Sequence, residues 1–244
     1  MARIDDLLRA ALIEAGDKPA DTAKSDEKKA YSEKISANIA LAVADELRER
    51  GMKKARPAPP GELGGSGAER RMSGGIGAKK VDVTWSTEES GLILGISIKS
   101  INFKDNRTQN FQKNLTNRRG DMLIEAVTLH RRFPYAVLGG LFIFDSGAAT
   151  DDTAKRRSTL ENAHTRFRLF TGRDDPAGRD EQYEAFYFML LDASSQHASY
   201  KLYRVGQPRA EIEFHDLICE LVERVAVRNP DFYEYDNGEL RSLT

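Results

Sequence analysis

Two residue types that could share one reaction stand at Asp82, in Val81-Asp82-Val83, and at Lys99, in Ser97-Ile98-Lys99. Phosphodiester hydrolysis needs a hard cation held by oxygen ligands, a water activated near neutral pH, and a positive group beside the attacked phosphate. Asp82 could supply a ligand and Lys99 the positive group. The stretch after Lys99 adds Lys104, Arg107, Gln109, Asn110, Lys113, Asn114, Asn117 and Arg118. Amides and cations of this kind satisfy phosphate oxygens and base edges alike. Across residues 99–132 eight basic residues face three acids, a local positive excess that the net charge of −1 conceals.

The elements that must position these residues follow from periodicity and punctuation. Residues 80–85 alternate as a short strand, an acidic turn follows to Gly91, and residues 92–99 are apolar enough for a central strand; together they predict a β-hairpin. Its register can bring Asp82 and Lys99 to one sheet end. A helix is predicted over 108–130, bent at Gly120, and then a strand of the buried parallel type over 135–144. Upstream, residues 4–15 read as a short amphipathic helix. Ile35, Ile39, Val43 and Leu47 mark a longer one that starts at Ser25 and stops at Gly51. Residues 55–78 are so rich in glycine and proline that a long functional loop is expected there. Downstream, helices are predicted over 155–171 and 213–228 and strands over 184–191 and 198–204. This order predicts an α/β fold, a mixed sheet flanked by helices, in one domain over residues 1–244.

The order of these features resembles the PD-(D/E)XK nuclease superfamily, which includes many restriction endonucleases. The match runs from a helix bearing Ser32-Glu33-Lys34, through Val81-Asp82-Val83 and Ser97-Ile98-Lys99, to a following helix and a buried strand, over about residues 28–145. The resemblance implies a restriction-endonuclease-like αβββαβ core with N- and C-terminal elaborations, the latter over about 146–244. It also implies that Asp82 binds Mg²⁺, with Mn²⁺ as a substitute, and that Lys99 orients or activates water. The chain departs from the pattern at Ser97, where Asp or Glu is expected, because serine is at most a weak neutral ligand. Some members similar to this chain carry Ser-X-Lys and take the acid from elsewhere in the fold. Glu33 is the first substitute, since it matches the helix glutamate of the family and shares a face with Ala37, Ala40 and Ala44. Glu125 is the second and Glu69 the third. The implied function is an endonuclease on double-stranded DNA, of the type II restriction or defence kind, and a homodimer would let two sites cut both strands. The competing expectation is a catalytically silent nuclease fold that grips DNA or a protein.

Other readings fall away. The four histidines have no metal-ligand spacing, and the Gly74–Lys79 stretch lacks the preceding strand and closing Lys-Ser/Thr of a phosphate loop. A single cysteine, Cys219, rules out an internal disulfide and reads as a structural thiol. No apolar run approaches the roughly 18–20 residues of a membrane helix, and the first residues do not read as a secretory signal, so a cytoplasmic protein with no membrane partner is expected.

Overall fold

The computed structural model describes residues 2–59, 61, 70–74 and 77–243. Two helices open the chain, α1 (Arg3–Ala15) and α2 (Ser25–Glu49). Asp26 and Glu27 in the first turn of α2 oppose the positive end of its dipole, and Ile35, Ile39, Val43 and Leu47 form its buried stripe. A hairpin follows, β1 (Arg70–Gly74) with β2 (Gly77–Val81), and then β3 (Val83–Thr87) and β4 (Gly91–Ile101). Next come α3 (Leu115–Arg132), β5 (Val137–Asp145), α4 (Thr159–Phe167), β6 (Ala185–Ala193), β7 (Ala198–Arg204), β8 (Glu211–Ile212) and α5 (Phe214–Arg228). A hairpin of β9 (Tyr233–Asp236) and β10 (Glu239–Ser242) closes the chain.

One sheet of six strands, ordered β3-β4-β5-β6-β7-β8, forms the middle layer. The β4/β5 and β5/β6 pairs are parallel and the remaining pairs antiparallel, so the sheet is mixed. Parallel neighbours need a crossover, which α3 provides between β4 and β5 and α4 between β5 and β6. Strand alternation divides the core in two. Ile96, Ile98, Leu141, Ile143, Tyr187 and Met189 pack against α1, α2 and α5. Ile101, Leu138, Phe142, Phe144, Phe186 and Phe188 pack against α3 and α4 on the other face. The chain is thus an α/β fold with a mixed sheet flanked by helices on both faces.

Several expectations need correction. The helix predicted over 108–130 begins only at Leu115, and residues 102–114 form an irregular loop. Asp105 is the reason: its carboxylate accepts from the backbone N–H of Arg107 and Thr108, an Asx arrangement that competes with helix. Gln109 and Asn114 take positive φ values of 52° and 71°, which the helix cannot accommodate. The helix predicted over 155–171 is shortened to α4, because residues 151–158 are held by Asp151, whose carboxylate caps Thr159. Residues 55–78, expected to lack regular structure, contain β1 and part of β2. Those two strands make a ladder of their own, so only β3 and β4 of the main sheet precede α3.

Candidate active site

The β3/β4 ladder ends at Val83↔Ile96, and what replaces the next ladder bond is a side chain. Asp82 sits in a bend between β2 and β3, and its Oδ2 accepts from the backbone N–H of Ile98 at 2.5 Å. The aspartate is thereby fixed across the strand that carries Ser97 and Lys99. On the opposite side of β4, Ser97 pairs with Gly140 and Lys99 with Phe142 of β5. Alternation sends Ser97 and Lys99 to the face covered by α3.

From that helix comes Glu125, buried on the same stripe as Met122, Ala126 and Leu129. The Ser97 hydroxyl donates a short hydrogen bond to Glu125 Oε1. Lys99 Nζ lies 3.5 Å from Glu125 Oε2 and 3.8 Å from Asp82 Oδ2, so one ammonium touches both carboxylates. Burial by itself lowers the Lys99 pKa, but the charges of Glu125 and Asp82 outweigh it and hold the ammonium above its ordinary value. The lysine therefore stays charged at neutral pH.

Asp82 and Lys99 line a cleft of about 950 Å³ between α2, the 102–114 loop and the start of α3, and the buried Ser97 and Glu125 lie behind them. Its walls carry Lys28, Lys29, Lys80, Lys104, Lys113 and Arg118, and its acids are Glu33, Asp82 and Asp105. Asp105 is engaged by Lys113 at 2.5 Å, and that bond is the first reason its carboxyl lies well below the usual carboxylate range. Among the described residues the cationic side chains of the lining outnumber the acids, and of those acids Asp82 faces Lys99.

The structure brings Asp82, Ser97, Lys99 and Glu125 together and leaves Glu33 apart. Glu33 lines the rim of the same cleft, but its side chain is 68% exposed and lies 3.8 Å from Lys29. Glu69 falls outside the described residues. Of the residues expected to touch nucleic acid, Lys104, Lys113, Asn114 and Arg118 line the cleft. Asn110 is turned inward, donating to the Thr108 carbonyl and accepting from Gln112 N–H, and Gln109 donates to the Asn106 carbonyl. Arg107 and Asn117 are exposed. Sequence reasoning gave no role to Tyr183, which is buried at 1% exposure behind Glu125 and donates from its hydroxyl to the Met122 carbonyl at 2.9 Å. The signal available for Glu125 was an acid on an otherwise apolar helix stripe, a placement that requires a partner. Tyr183 precedes β6 in a connection with no periodic pattern to announce it.

Among the described residues no three His, Cys, Asp or Glu side chains gather as a metal cluster. Two carboxylates meet the need of Mg²⁺, which is commonly bound through one or two of them and keeps several waters. No family model, curated protein or solved structure matches this chain.

Proposed function

We propose that this chain is a metal-dependent endonuclease that hydrolyses DNA phosphodiester bonds, acting as a type II restriction or defence nuclease on a restriction-endonuclease-like core. The observation that carries this reading is the meeting of Asp82 and Glu125 on Lys99, which with Asp82 lines a cleft walled by lysine and arginine. Asp82 and Glu125 are the residues that would hold Mg²⁺ or Mn²⁺, as hard oxygen donors. A cation bound there would supply a water of lowered pKa and positive charge for the attacked phosphate. Ser97 does not replace the absent acid; by donating to Glu125 it orients the acid that does. Lys99, within 3.5 Å of Glu125 and 3.8 Å of Asp82, would offer its positive charge to the phosphate. Lys28, Lys29, Lys104 and Arg118 line the cleft and would neutralise phosphates of the bound backbone.

A silent module that keeps the fold is the alternative that Ser97 favours, while the glutamate hydrogen-bonded to that serine favours the nuclease. Incubation of plasmid DNA with the protein tests the proposal. Cleavage is expected only with Mg²⁺ or Mn²⁺ and is lost in Asp82→Ala and Lys99→Ala. Binding without cleavage under every metal would overturn it.

A further inference from the structure

Tyr183 belongs to the C-terminal half of the chain, outside the stretch that carries the nuclease resemblance, yet it reaches the back of the site. Its backbone is fixed from both directions: its N–H donates to the Phe170 carbonyl, and its own carbonyl accepts from Gly172 and Arg173. The next residue, Glu184, is fully buried, accepts from the N–H of Leu138 and pairs with Arg173, Arg228 and His130. The ring packs edge-on against Phe186 with centroids 5.2 Å apart. A side chain so constrained can hold its neighbours in place.

The neighbours are those of the carboxylate pair. The phenol proton goes to the carbonyl of Met122, one turn ahead of Glu125 on α3, and the phenol oxygen lies beside Ser97, whose own proton goes to Glu125. Burial first, and then the nearby Glu125 carboxylate, raises the Tyr183 pKa well above its ordinary value, so the hydroxyl is a permanent neutral donor. Tyr183 thus touches both supports of Glu125: the helical turn that presents it and the serine that orients it.

We propose that Tyr183 is a positioning residue for Glu125, fixing through Met122 and Ser97 the carboxylate that would hold the metal. The inference rests on the reading of Asp82 and Glu125 as the metal-holding pair. Partners of this kind affect metal affinity without contacting the ion, on the order of tenfold when removed. The control is Tyr187, equally buried but on the opposite core face, whose hydroxyl bonds to Glu220.

Calorimetric titration with Mn²⁺ alone, without DNA, tests the inference on the full chain. Tyr183→Phe keeps the ring, and it should weaken Mn²⁺ binding about tenfold; Tyr187→Phe should leave binding at the wild-type value. Unchanged binding in Tyr183→Phe, or equal weakening in both variants, would overturn the role assigned to Tyr183. A wild-type protein that binds no Mn²⁺ would instead overturn the two-carboxylate reading on which it rests.

Discussion

Ser97 has only one proton to donate, and Glu125 receives it. The resemblance expects an acid at position 97; here the strand carries a hydroxyl that donates to Glu125 of the adjacent helix, the residue proposed to stand in for that acid. The sequence made Asp82 and Lys99 legible because strand alternation and hairpin register are local properties. The acid's source was not legible to the same degree, because the distance from α3 to β4 depends on how the helix packs, and a chain of letters does not encode that directly. Small residues are needed beside the serine. Gly140, its partner on β5, would place a Cβ 2.8 Å from the ring carbons of Phe186, a fully buried side chain. Overpacking of this kind costs about 1–3 kcal/mol. Gly140→Ala should therefore lower the urea midpoint by a corresponding amount; a midpoint equal to wild type would show that the ring moves aside freely.

At the scale of elements, hairpin, crossover helix and central strand were readable from period alone: β4, β5, β7 and α5 lie close to where apolar patterning puts them. The 102–114 loop was not, since no periodic pattern marks it and the chain is diverted by side chains that bond to nearby backbone, Asp105 to the N–H of Arg107 and Thr108 and Asn110 to that of Gln112. Lys104 and Lys113 stand on a loop facing α2 across the cleft instead of along a single helix face, so a backbone entering the cleft meets cations on two sides. If Lys28, Lys104 and Arg118 each neutralise a phosphate, each Ala substitution should make the slope of log affinity against log salt shallower by about 0.9. Fluorescence anisotropy with duplex DNA in EDTA measures this without cleavage. Slopes unchanged in all three variants would mean that DNA lies elsewhere.

For the whole molecule, the sheet runs without a break from β3 to β8, and residues beyond 145 supply β6, β7 and the Tyr183 support. The boundary suggested by the resemblance does not correspond to a boundary in the sheet. This shared core also sets the acid response. His164 of α4 accepts from the Gly206 N–H at 3.1 Å and lies edge-on to Phe188 of β6, and burial lowers its pKa from 6.5 to about 4. Between those two values the unfolded chain takes up a proton that the folded chain does not. Stability is therefore lost as pH falls from about 6.5 towards about 4. His164→Gln should melt lower at pH 7.5, with the difference from wild type narrowing as pH drops to 4.5; parallel curves would remove His164 as the cause. No helix among the described residues is long and apolar enough to cross a membrane.

Glu125, converging with Asp82 on Lys99, is proposed to complete the site that Ser97 leaves short of an acid. Magnesium-dependent plasmid cleavage compared between Glu125→Gln and Glu33→Gln tests it most directly. A rate at least about tenfold below wild type is expected for Glu125→Gln, since even the partners that orient a metal ligand are worth that much, and a near wild-type rate is expected for Glu33→Gln. Full activity in Glu125→Gln, or loss confined to Glu33→Gln, would contradict it.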